Sequence, residues 1–221
     1  MMKIFKLLEH KLFMGTIRIG VLASGRGSDF QSIIDGVHSG RINAKIMVLI
    51  SDNPNAQALE RAKQNGIPAF CIERGKYLYR EEHDNAIRKK LEESNVELVV
   101  LAGYMRLITD KKFLEDYKGR IINIHPALLP CFPGTHAQRD AFNYGVKISG
   151  YTIHFVDASP DGGPVIYQEA VDISDCKTED EIAAKILERE HVGLPKIVDS
   201  FSKGRYIIEG RKVKYVPNPA P

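Results

Sequence analysis

The 221-residue chain has no tryptophan, only three cysteines and little net charge. It also lacks any run of about 18 apolar residues, which excludes a membrane-spanning helix. Cys71, Cys131 and Cys176 are odd in number and too widely spaced for a CxxC pair or a metal finger, so neither a disulfide framework nor a zinc module is expected. A reducing cytoplasm is the simplest setting. The charge balance of 31 basic against 28 acidic residues leaves +3, enough for small anionic metabolites but no basic field for sequence-independent nucleic-acid binding. No HxxxH pair or His/Cys cluster is present, and no metal is expected. No GxSxG elbow exists, and Cys131 carries no motif around it, so covalent catalysis has no anchor.

What is present is the mixture of a soluble globular chain, 43% hydrophobic and 27% charged, which argues against a disordered or fibrous protein. A chain of this length buries roughly 70–75% of its unfolded surface, so one core needs no staple. The first fourteen residues intersperse Lys3, Lys6 and Lys11 among apolar residues and are followed by no small-residue cleavage site, so a secretory signal is not expected. Residues 1–14 read as an N-terminal extension, either a short surface helix or residues ahead of a start at Met14. Residues 15–221 then form a single domain.

From Thr16 onward short β-branched runs alternate with amphipathic segments, the pattern of a doubly wound, mostly parallel α/β sheet with helices on both faces. Strands are predicted at Ile17–Ala23, Lys45–Ser51, Pro68–Ile72, Leu98–Ala102, Ile121–Ile124 and Ser149–Val156. Helices fall between them, near Phe30–Val37, Ala56–Asn65, Tyr79–Ser94, Asp110–Tyr117 and Ala137–Asn143. A strand at Pro164–Val171, a long helix from Glu179 to about Phe201, and two short strands flanking Glu209-Gly210 complete the chain. The run Leu98-Val-Val-Leu-Ala102 is apolar at every position, as a central strand covered on both faces should be.

Three segments can carry chemistry. Ser24-Gly-Arg-Gly-Ser28 follows the first strand and opens the first helix, where backbone N–H groups and the helix dipole favour an anion. The third glycine of a dinucleotide fingerprint is replaced by Phe30 and no Walker lysine follows, so a single phosphate fits better than a nucleotide. Such turns also occur without any ligand. Asn123 and His125 leave the end of a predicted strand two residues apart, hence on one face. A carboxamide donor beside an imidazole suits acyl transfer, one group holding an oxyanion and the other moving a proton. Asp161, before Gly162-Gly163-Pro164, can supply a carboxylate to the same end of the sheet and raise the imidazole above its free value of about 6.5, or it can simply cap its turn. His10, His38 and His83 are expected to face solvent, and His154 to be a hydrogen-bonded core residue.

With these residues in hand the sequence resembles the phosphoribosylglycinamide formyltransferases over roughly Ile17 to Ser200. The matching motifs are Ala23-Ser-Gly-Arg-Gly-Ser28, Leu101-Ala-Gly-Tyr-Met-Arg-Leu-Ile108, Ile122-Asn-Ile-His-Pro-Ala-Leu-Leu-Pro130, and His154-Phe-Val followed by Asp161-Gly-Gly-Pro-Val165. The resemblance implies a Rossmann-like formyltransferase fold and formyl transfer from 10-formyltetrahydrofolate, as co-substrate, to the amine of glycinamide ribonucleotide in purine synthesis. It implies Asn123, His125 and Asp161 as the catalytic set, and Gly27, Ser28 and Asp29 at the substrate phosphate. It places Glu190 near the ribonucleotide, and Arg80, Met105, Arg106, Leu107, Ile108 and Asn123 at the folate. The charge balance and the lack of a long apolar run argue against nucleic-acid or membrane partners, and a homodimer stays open.

Two positions depart from the family pattern. Asp29 stands where an asparagine is usual, with the expectation that it offers its backbone N–H and turns its side chain to cap the helix. Leu187 stands where relatives carry a polar or basic residue. Formyltetrahydrofolate deformylases and methionyl-tRNA formyltransferases share the Asn, His and Asp set, but the deformylases usually add a regulatory domain, and the tRNA enzymes need a C-terminal domain and a more basic surface. Chain length argues against both. A non-catalytic phosphate sensor is the alternative from another class, although it has no use for an oxyanion donor and an acid.

Overall fold

The computed structural model describes residues 15–219, so the extension assigned to residues 1–14, His10 included, lies outside the described residues. Five strands, β1 (Ile17–Leu22), β2 (Ala44–Ser51), β3 (Ala69–Cys71), β4 (Leu98–Leu101) and β5 (Ile121–His125), run parallel in the order β3-β2-β1-β4-β5. β6 (Ile148–Phe155) and β7 (Val165–Asp172) extend the same sheet antiparallel. The helices are α1 (Ser28–His38), α2 (Gln57–Gln64), α3 (Arg80–Glu93), α4 (Lys111–Asp116), α5 (Ala137–Tyr144) and α6 (Glu179–Lys203), and a hairpin of β8 (Gly204–Glu209) and β9 (Lys212–Pro217) follows α6.

The central strand behaves as its composition requires. Leu98 and Val100 pack into a core with Phe30, Ile33 and Ile34 of α1 and Ile182, Ile186 and Leu194 of α6, while Val99 and Leu101 join Ile87 and Leu91 of α3 and Phe113 of α4 on the opposite face. Helix starts follow capping chemistry. The Asp110 carboxylate accepts the Phe113 N–H at 2.6 Å before α4, and the Thr178 hydroxyl accepts the Glu181 N–H at 3.2 Å before α6.

One expectation about α3 is corrected. His83 is only 1% exposed, because His83, Ile87 and Leu91 recur every four residues and turn one stripe of α3 inward. Its ring meets the Ile72 carbonyl at 2.8 Å, which satisfies the buried nitrogen.

The strand order fixes the site. Successive crossovers lead from β1 outward to β2 and β3, and β4 then returns to the other side of β1. The crevice beyond the carboxyl ends of β1 and β4 is therefore the switch point where open α/β sheets bind ligands.

Candidate active site

A cleft of about 670 Å³ opens at this switch point and is lined by the loops after β1, β4 and β5, the segment between β6 and β7, and one face of α6. All three sequence-derived segments meet there. Ser24 ties two walls together: its N–H donates to the Gly103 carbonyl at 3.0 Å and its hydroxyl accepts the Met105 N–H at 2.9 Å. Gly27 is the N-cap of α1 with φ 68, and a Cβ there would lie 2.8 Å from the Ala58 Cβ, so both the turn and the approach to α2 require glycine. Ser28 and Asp29 then present the first helical N–H groups to the cleft.

Asn123 and His125 share one face of β5, as their spacing requires. The His125 ring is 5% exposed; its Nε2 donates to the Phe132 carbonyl at 2.8 Å, since a carbonyl can only accept. Nδ1 is thereby left toward Asp161, whose Oδ2 lies 3.7 Å away. That carboxylate is itself held by the Gly134 N–H at 2.8 Å. Asp161 adopts φ 48, a left-handed backbone for a non-glycine residue that turns its side chain back into the cleft. Gly163 permits the return, because a Cβ there would fall 1.7 Å from the Phe155 carbonyl oxygen.

His154 is a hydrogen-bonded buried residue, as expected, but it also orients the site. It pairs directly across from Asn123 in the β5–β6 register. Its Nδ1 donates to the Phe155 carbonyl at 2.9 Å, leaving Nε2 to accept from the Asn123 amide nitrogen at 3.2 Å. Burial holds the His154 imidazole below its ordinary range, which keeps that lone pair available. Sequence reading missed this contact because pairing across strands is not a local signal.

Met105 and Leu107 stand 53% and 48% exposed at the cleft, apolar surface that a flat ring could cover, while Ile108 is buried. Arg106 is anchored through Nε to the buried Asp52 carboxylate at 2.7 Å. Beside the cleft, a second cavity of about 460 Å³ is bounded by Arg80, Arg106 and Arg74, the last not anticipated from sequence. Asp84 lies under it and accepts the Thr109 N–H at 2.6 Å, the Thr109 hydroxyl at 3.0 Å and the Asp110 N–H at 3.1 Å, fixing the far end of the Met105–Ile108 segment. Leu187 and Glu190 project from α6 into the main cleft.

The expectation for Asp29 is corrected. Its side chain caps nothing: the residue is 9% exposed, Oδ1 has no hydrogen-bond partner, and the nearest cation-forming group is His191 Nε2 at 3.8 Å. Burial overrides capping here, because α6 packs on α1 and brings His191 beside Asp29. Among the described residues no group of three or more His, Cys, Asp or Glu side chains could hold a metal ion.

A half-buried carboxamide, a buried imidazole and a half-buried carboxylate thus meet at one cleft, an arrangement whose chemistry suits acyl-group transfer. The chain belongs to the formyl transferase family, whose profile matches residues 17–198. It is similar to the phosphoribosylglycinamide formyltransferase of Bacillus subtilis, 41% identical over 181 residues that cover 82% of this chain and 92% of that protein. The human trifunctional purine biosynthetic protein adenosine-3 is 36% identical over 187 residues, covering 85% of this chain and 18% of that much longer protein. Among solved structures, glycinamide ribonucleotide transformylase 1 from Symbiobacterium toebii superposes with a TM-score of 0.88 at 44% identity, covering 94% of this chain and 98% of that one.

Proposed function

We propose that this chain transfers the formyl group of 10-formyltetrahydrofolate to the primary amine of 5′-phosphoribosylglycinamide, releasing tetrahydrofolate in de novo purine biosynthesis. The observation that carries the reading is the convergence of Asn123, His125 and Asp161 on one cleft with an anion-binding helix start at one end and an apolar ring-binding wall at the other. The relatives named above act in this chemistry. Residues 15–221 serve as one catalytic unit, working in the cytoplasm and with no nucleic acid or membrane as partner; among the described residues no helix is long and apolar enough to cross a membrane. Assembly as a homodimer is compatible with this reading.

The uncharged amine attacks the formyl carbon, forming one C–N bond and moving the carbonyl electron pair onto oxygen. Asn123 donates an amide N–H to that oxyanion, and the imidazolium of His125 balances its charge. Asp161, 3.7 Å from His125, faces the imidazolium and helps carry the amine proton to the leaving N10 of folate as the old C–N bond breaks. The carbonyl reforms on the product. Gly27, Ser28 and Asp29 receive the phosphate, Glu190 the ribose side, and Met105 to Ile108 the pterin. The arginines of the second cavity, Arg80 with Arg74 and Arg106, suit the carboxylates of the glutamate tail.

The test is a steady-state assay of formyl loss from 10-formyltetrahydrofolate with and without glycinamide ribonucleotide, with His125→Ala as the blank. Turnover that needs the ribonucleotide and vanishes in the variant is expected. Turnover without ribonucleotide would make the chain a deformylase, and binding without turnover would make it a sensor.

A further inference from the structure

Two buried carboxyl groups line the cleft where the phosphorylated substrate is placed. Asp29, in the first turn of α1, is 9% exposed, and Glu190, on α6, is 5% exposed; both line the cleft. Asp29 Oδ1 is enclosed and accepts no hydrogen bond, and no side-chain hydrogen bond is formed by Glu190 among the described residues. An ionised carboxylate in that position repels a phosphate at the adjacent N–H groups of α1, whereas a neutral carboxyl donates a hydrogen bond to it.

Among the described residues no cationic side chain hydrogen-bonds to Asp29, although the Arg26 charge lowers its carboxyl in part against burial. Arg26, on the loop before α1, is exposed, and Arg61, on α2, spends its guanidinium on the Arg26 carbonyl and on Gln31. His191, on α6, is 3.8 Å from Asp29, but burial lowers its affinity for a proton, and Asp35 of α1 offsets that only in part. Tyr151, beneath α6, donates its hydroxyl to Glu169, and Arg189 is bound to the same Glu169. The Arg26 charge draws the Asp29 carboxyl down against its burial, while the Asp29 charge adds to burial in raising Glu190.

We propose that Asp29 and Glu190 act as a proton-holding pair in the ribonucleotide site, so that the substrate phosphate is bound together with a proton at Asp29. Burial pushes the Asp29 carboxyl up to about 6, and burial with the adjacent Asp29 charge raises Glu190 well above the usual carboxylate range. At pH 7.5 Asp29, at about 6, is mostly ionised, and Glu190 holds its proton more firmly than a free carboxyl does. Binding then takes up a proton, held between the Asp29 carboxyl and a phosphate oxygen. Asp29 is on this account the residue that sets which charge state of the phosphate the site accepts. The inference rests on the ribonucleotide reading above.

Calorimetric titration of the full chain with glycinamide ribonucleotide, in two buffers of different ionisation enthalpy at pH 7.5, reads the proton count directly. Uptake close to one proton is expected, and the wild-type Kd should weaken by up to about tenfold per pH unit between pH 6.5 and 8.5. Asp29→Asn keeps a donor without a titrating group, so its slope should retain only what the ligand's own phosphate and amine contribute. Equal slopes and proton counts in wild type and Asp29→Asn would overturn the pair, as would zero uptake by the wild type even if the variant fails to fold. Tetrahydrofolate, titrated in parallel, should show no Asp29-dependent slope. If tetrahydrofolate binds and the ribonucleotide does not at any pH, the substrate reading itself falls.

Discussion

At the scale of single residues the site depends on hydrogen bonds that leave each group one free valence. Asn123 has one amide hydrogen committed to His154 Nε2, which leaves its other donor for the oxyanion of the proposed reaction. Asn123→Ala should cost about 100–1000-fold in kcat at unchanged fold, measured by the steady-state assay. His154→Phe fills the same volume without an acceptor, and should lower kcat by about 100-fold through misplacement of Asn123 while leaving ribonucleotide KM nearly unchanged. The two buried acids and His154 also set opposite pH limits on stability. His154 is held below its ordinary 6.5 by burial, so its contribution is complete above that value and is lost as pH falls. Asp29 is raised from 3.8 to about 6, so the stability it gives in neutral form is lost as pH rises through that window. Asp29→Asn should therefore raise Tm by a few degrees at pH 8 and by little at pH 4, in thermal unfolding followed by circular dichroism.

At the scale of elements, the period of apolar residues placed every strand and helix near its observed bounds, because β-branched runs and helical stripes are local properties. Leu98 to Leu101 read as a doubly covered strand and is one. The stripe His83, Ile87, Leu91 was equally available, yet treating histidine as polar hid it; the spacing outweighs the residue type. What the sequence could not show were contacts made by register and turn geometry: Asn123 opposite His154, and Asp161 swung toward His125 by a left-handed backbone. The anchoring of the apolar wall is likewise tertiary. Asp84→Ala removes the acceptor for three donors at the Thr109–Asp110 end, and should cost about 3 kcal/mol and raise folate KM more than ribonucleotide KM. Gly27→Ala should weaken the opposite end, raising ribonucleotide KM, since it meets both φ 68 and a 2.8 Å contact with Ala58.

At the scale of the whole molecule, two cores share one sheet, and the cleft lies at the point where the strand order reverses. Because the walls come from α1, the β4 loop, β5 and α6, a bound ribonucleotide holds distant parts of the chain together. Saturation at about 100 times Kd should stabilise the fold by about 2.7 kcal/mol, read as a rise in Tm of several degrees. The general topology was legible because alternating strands and helices admit few arrangements; the antiparallel edge was not, since pairing direction leaves no mark in composition. That edge divides the residues of the cleft between two stretches of chain. Asn123 and His125 precede α5, whereas His154, Asp161 and Glu190 follow it, and the turn after Tyr144 carries Gly145 at φ 80 with open space around it. A cut at that turn would leave neither piece with the whole proposed set, so on this reading formyl transfer is expected only where the two pieces reassemble.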